Sequence, residues 1–243
     1  MIEYDQIQYG QTIISYSISY SVRRKNATIV VHPTRKVEVK VPARAEPEDI
    51  RVLMQRKAKW VVTHIDWFSQ FQYIGMEKEY VNGETFLYMG RQYRLKILKS
   101  DNEHYARLKG KYFEVTLPSN ISSKGIGELA REALFDWYKI HAEKQIGKIV
   151  DSYSKKLGIE KPSFKVKYQS KRWGSCTNKN HLNFNLLIVM APVSQIEYVV
   201  AHELCHIKHK SHSKEFWQLL KLVMPDYELR KDSLRRDGWK YAL

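Results

Sequence analysis

The chain has 243 residues, long enough to bury a substantial core as one large or two small domains. Its 41 Lys plus Arg against 26 Asp plus Glu leave a formal charge of +15, which favours anionic partners such as nucleic acid, nucleotides or acidic protein segments. Two cysteines, Cys176 and Cys205, exclude a disulfide framework, and neither an export leader nor an apolar run of ~20 residues is present, so a cytoplasmic protein without a membrane partner is expected.

The first segment reads as β-rich. QTIISYSIS, ATIVVHP and KVEVKVP predict strands, with Val37, Val39 and Val41 alternating after a His-Pro-Thr-Arg turn. PEDIRVLMQRKAKWVVTHIDWFSQF then predicts a helix: Pro47 stands near its start, acids fill the first turn, and Ile50, Leu53, Met54, Trp60, Val61 and Ile65 supply an apolar face. EYVNGETFLYMGRQYRLKIL and YARLKGKYFEVTLP predict two hairpin-like segments, punctuated by Asn82-Gly83, Met89-Gly90 and Lys109-Gly110. A boundary is expected at residues 118–123, which makes 1–120 a β-rich region with one helix and 121–243 a second domain. No internal repeat is visible in the sequence.

The second half predicts a long helix over about 126–156, a strand FKVKY, a KRWGSC segment, a strand LNFNLLIVM, a helix SQIEYVVAHELCHIK and, after a short connection, a helix SKEFWQLLKLVM. Ser194 and Glu197 match a capping box expected to start the histidine-bearing helix. Its apolar stripe is Ile196, Val199, Val200, Leu204 and Ile207. Residues 161–196 carry Lys161, Lys165, Lys167, Lys171, Arg172 and Lys179 and no carboxylate.

Residues 201–217, AHELCHIKHKSHSKEFW, hold four of the nine histidines. His202-Glu203-Leu204-Cys205-His206 is an H-E-x-x-H motif on a predicted helix. A four-residue step rises about 6 Å and returns to nearly the same direction, so both imidazoles can reach one ion. Zn2+ suits neutral imidazole and a three-ligand site with an open position. Glu203 is too offset to be a natural ligand and is placed to act as general base on a water held there, whose pKa falls from 15.7 toward ~7.

A third ligand is needed. On a continued helix His209 would lie ~10.5 Å along the axis from His202, an awkward reach. His212 serves better if the chain turns between Ile207 and Ser211, with Ser211 or Ser213 capping the next helix. The spacing His202, His206, His212 equals that of the metzincin signature, with His209 where that signature has glycine, so a turn of different geometry is expected. His209 is then a residue that supports a ligand or faces substrate. Cys205 reads as a small buried residue.

KRWGSC, LNFNLLIVMAP, YVVAHELCH, HSKEFW and MPDY, in that order, together with GETFLYMGRQYRL upstream, resemble the YgjP-like metallopeptidases, zincins related in their active-site helix to SprT-like proteases. The resemblance covers essentially the whole chain. It implies an α+β fold, a minimal zincin-like domain with an N-terminal β-rich extension, zinc on His202, His206 and His212, and Glu203 as the catalytic residue. It also implies that RWGSC lies near the strand bordering the cleft, where an extended polypeptide can add as another strand. Lys171, Arg172 and His209 are the candidate substrate contacts. Two other readings use the same residues: a nucleoside triphosphate pyrophosphatase, known among some family members with UTP as substrate, and a zinc-stabilised nucleic-acid-binding module that has no need for Glu203.

Overall fold

The computed structural model describes residues 2–32, 34–69, 78–101, 103–169 and 172–242. The chain divides into two compact units, Met1–Glu77 and Lys78–Leu243.

The first unit is a four-stranded sheet with one helix. Its strands are β1 (Ile2–Tyr9), β2 (Thr12–Ser21), β3 (Thr28–Val31) and β4 (Val37–Pro42), in the order β1-β2-β4-β3. The outer pairs are antiparallel and the central pair β2/β4 is parallel, with Tyr16 opposite Val37 and Ile18 opposite Val39. Alternation sends Ile14, Tyr16, Ile18, Val37, Val39 and Val41 to one face. Helix α1 (Pro47–Ser69) covers that face with Ile50, Met54, Ala58 and Val61, one buried residue per turn. Strand β1 carries no strong apolar alternation and was not expected from the sequence. The predicted helix end at Gln70 and Phe71 lies outside the described residues.

The second unit is α+β. It opens with a second four-stranded sheet, β5 (Thr85–Tyr88), β6 (Arg91–Ser100), β7 (Tyr105–Lys109) and β8 (Tyr112–Pro118), in the order β5-β6-β8-β7. Strand order and pairing repeat those of the first sheet: two antiparallel outer pairs joined by a parallel central pair, followed by a long helix. Phe113, Val115 and Leu117 take the places in β8 that Val37, Val39 and Val41 take in β4. The topology therefore repeats where the sequence shows no repeat, because what recurs is an alternation of apolar positions and not their identities.

Helix α2 (Ser123–Leu157) joins this sheet to the rest of the unit. Ala130, Leu134, Tyr138, Ala142, Ile146, Val150, Tyr153 and Leu157 form a continuous buried stripe, each large aliphatic side chain contributing about 1.5–3 kcal/mol. The Tyr138 hydroxyl donates to the Leu87 carbonyl at 2.5 Å, so this buried phenol is satisfied on β5. Residues 78–120, grouped by sequence with the N-terminal region, thus share one core with the C-terminal helices, and the boundary falls at residue 77.

A three-stranded sheet follows, β9 (Phe164–Lys167), β10 (Gly174–Cys176) and β11 (Leu182–Asn185), in the order β10-β11-β9. The expected strand LNFNLLIVM ends early, at Asn185. The Asn185 side chain accepts from the Leu187 amide at 3.1 Å and caps a 3₁₀ helix, Leu186–Met190. All nine residues are buried, so no periodicity was available to separate the two conformations. Helices α3 (Val193–Lys208), α4 (Lys214–Val223) and α5 (Tyr227–Asp237) complete the unit. Helix α5 is mostly charged, YELRKDSLRRD, and buries only Tyr227 and Leu234, which left little signal to predict it.

Candidate metal centre

The β5–β6 turn seats the start of α3. Met89 and Gly90 donate their amides to the carbonyls of Val189 and Met190, at 2.8 and 3.1 Å. Gly90 has φ +77°, and a Cβ there would meet the Pro192 Cα at 2.9 Å, so both conformation and space require glycine. Pro192 is the N-cap of α3, and its carbonyl accepts from the amides of Gln195 and Ile196. The expected Ser194/Glu197 capping box does not form. Glu197 instead pairs with Arg230 of α5, which also bonds Asp226 at 2.8 Å.

Ile196, Val199, Val200 and Leu204 bury the expected stripe of α3, and Cys205 is fully buried with its thiol pushed up to about 12 by that burial. His202 and His206 leave the same helix one turn apart, with ring centroids 5.0 Å apart. The helix ends at Lys208, whose ammonium donates to the Leu157 carbonyl at the end of α2. His209 follows with φ −130° and ψ 103°, an extended conformation, so the turn needs no left-handed residue. Its carbonyl accepts from His206 Nδ1 at 3.0 Å, which puts the proton on Nδ1 and leaves the Nε2 lone pair free.

His212 comes from the loop before α4. Its Nε2 lies 2.9 Å from Nε2 of His202, and one ring nitrogen from each of His202, His206 and His212 falls within 4.8 Å of the others. Burial, then the neighbouring histidines, drives the His202 pKa down to about 3, and burial also lowers that of His206. Nδ1 of His202 is buried and has no hydrogen-bond partner among the described residues, so the polar contacts of this ring lie on the side of the other two. Three imidazoles converging on one point fit a borderline divalent ion.

Glu203 is 6% exposed and stands outside the histidine cluster, against β10. Burial raises its carboxyl to about 7, and the nearby Arg172 charge offsets part of the effect. The Arg172 side chain is exposed, while its carbonyl accepts from Asn185 Nδ2 at 3.1 Å. Lys171 lies outside the described residues.

Three residues that shape the centre were not singled out from sequence. Phe216 of α4 packs its ring within 5.0 Å of all three imidazole centroids. Trp217 stacks on His212 at 5.4 Å and on Tyr227 at 5.6 Å. Lys210 donates to Asn180 Oδ1 at 2.5 Å and to the Thr177 carbonyl at 3.1 Å, tying the loop that bears His212 to the β10–β11 turn. The HSKEFW spacing placed both aromatic residues on a helix, but only tertiary contacts show what they touch.

The helix α3 thus presents two histidines one turn apart, a third comes from the following loop, and the glutamate next to the first is buried. The chain belongs to the YgjP-like family: the family model, described as YgjP-like, metallopeptidase domain, matches residues 25–237. Membership implies a hydrolase that works with a divalent metal. Among solved structures, the metallopeptidase zymogen of Pyrococcus abyssi abylysin is similar at 17% identity over 37% of this chain and 90% of that one, with a TM-score of 0.35. The metallopeptidase zymogen of Methanocaldococcus jannaschii jannalysin is similar at 25% identity over 37% and 86%, with a TM-score of 0.34. Comparison with curated proteins gives no match. Among the described residues, no helix is long and apolar enough to cross a membrane.

Proposed function

We propose that this protein is a zinc-dependent metallopeptidase in which His202, His206 and His212 hold the ion and Glu203 moves the protons of peptide hydrolysis. The observation that carries this reading is the convergence of three ring nitrogens within 4.8 Å, with Glu203, the residue next to His202 in α3, buried. All three donors are uncharged, so a bound zinc would keep its double charge and supply the Lewis acidity that polarises a carbonyl and acidifies water.

Glu203 then has two tasks, to take a proton from the attacking water and to return one to the leaving amine. Burial favours the neutral, proton-carrying form of this carboxyl, and a bound zinc would act in the opposite direction. The hydrogen bond from His206 to the His209 carbonyl holds that imidazole in one tautomer and one orientation. Strand β10 is an edge of its sheet and offers backbone groups to an extended polypeptide, with Arg172 at its entry. Lys171, Arg172 and His209 are the proposed substrate contacts.

The test is a mass-spectrometric survey of products from zinc-loaded protein and its Glu203→Gln variant, each offered a denatured protein and the four ribonucleoside triphosphates. New peptides are expected from the parent, falling roughly 10²–10⁴-fold in the variant while zinc is retained. Nucleoside monophosphate and pyrophosphate that vanish in the variant would reassign the same centre to phosphoryl chemistry. Nucleic-acid binding that weakens with salt and survives the substitution, with no product of either kind, would make it a binding module.

A further inference from the structure

Gly174 opens β10, and in the register of the sheet it stands opposite Phe184. Two properties make a glycine necessary in a strand: a positive φ, or something lying where a side chain would go. The first is excluded, since Gly174 is not among the glycines with positive φ. The second holds. A Cβ at Gly174 would lie 2.7 Å from Glu203 Cγ, 2.8 Å from its Oε1 and 2.9 Å from its Cδ, closer than carbon atoms pack.

All three nearest atoms belong to one side chain, and that side chain is buried at 6% exposure. The missing Cβ is therefore filled by the Glu203 side chain, and the bare backbone of β10 forms a wall against which the carboxyl rests. We infer that Gly174 is a positioning residue for Glu203: by leaving this space it sets where the carboxyl lies relative to the three histidines. The inference rests on the reading of Glu203 as the proton-moving group, although the packing on which it is built does not. The three atoms nearest to that Cβ all belong to Glu203, so the first effect of a methyl group there falls on Glu203.

The experiment is a double-mutant cycle between Gly174→Ala and Glu203→Ala, read by thermal unfolding, zinc content and peptide turnover of the full chain. Gly174→Ala alone is expected to lower the melting temperature of the second unit by roughly 2–12 °C, from about 1–3 kcal/mol of overpacking. In the Glu203→Ala background the same substitution is expected to be neutral or stabilising, since a strand gains from Ala in place of Gly once the space is free. Melting shifts that simply add would overturn the inference. Should Gly174→Ala fail to fold, recovery of folding in the double variant is the expected result, and failure of both would overturn it.

In the folded single variant, zinc content is expected to match the parent and kcat to fall at least tenfold with KM within about twofold. This is the signature of a displaced base, not of lost substrate binding. Loss of zinc, or an unchanged kcat, would overturn the positioning role. If the parent itself cleaves no polypeptide, the proposed function fails, and the melting cycle still decides whether Gly174 makes room for Glu203.

Discussion

At His206 a single hydrogen bond decides which nitrogen faces the centre, because Nδ1 donates to the His209 carbonyl and leaves Nε2 free. The same bond gives His209 a role that its ring does not need to play. His212→Ala is therefore expected to strip the metal, while His209→Ala keeps it, since the carbonyl survives the substitution. Metal analysis of the two purified variants checks this, and the reverse result would refute the ligand assignment. At this scale the approach of the rings was largely legible in sequence: the four-residue step from His202 to His206 needs only a helix to bring them together. The contribution of the His209 backbone was not legible, because no side-chain pattern reports where a carbonyl points.

Between elements, the centre depends on ties made by residues outside the motif. Lys210 links the loop before α4 to the β10–β11 turn through Asn180 and Thr177. Lys210→Met is expected to leave the fold intact and to weaken metal binding roughly tenfold, as for other supports of metal ligands. Isothermal titration against the apo-protein measures it, and an unchanged affinity would show that the loop is held by its aromatic contacts alone.

Arg230 is the corresponding tie at the start of α3, bridging Glu197 and Asp226 with its side chain 21% exposed. Arg230→Met leaves two solvent-accessible carboxylates without their partner and is expected to cost up to about 1 kcal/mol, measured by urea unfolding. A sequence reading assigned Glu197 to a capping box with Ser194. The helix starts earlier, with Pro192 as its N-cap, and Arg230 takes the Glu197 carboxylate, a partner that only the tertiary structure supplies.

Among the described residues, each of the two units has a hydrophobic core of its own. Two calorimetric transitions are expected, because each unit can lose its own packing cooperatively. Chelating the metal should lower only the transition of the second unit, by roughly 5–10 °C if the free metal had stood at about a hundred times its Kd. A shift in both transitions, or a single one, would mean that the units unfold together. The repeated strand order belongs to this scale as well. Each sheet needs only apolar residues at alternating positions, and Val37, Val39 and Val41 satisfy that need as well as Phe113, Val115 and Leu117 do.

By itself the sequence determined the features that depend on local spacing: the long helices, the hairpin turns at Met89-Gly90 and Lys109-Gly110, and the histidine pair on α3 with its adjacent glutamate. Helical and strand periods act over a few residues, so a pattern of the right period is enough to specify them. The tertiary structure alone decided the early end of β11, the placing of residues 78–120 with the C-terminal helices, and the repeated sheet topology. It also decided that the carboxyl of Glu203 occupies the space beside Gly174. Those outcomes turn on which buried surfaces meet and which polar groups find partners, and residues far apart in the chain settle both.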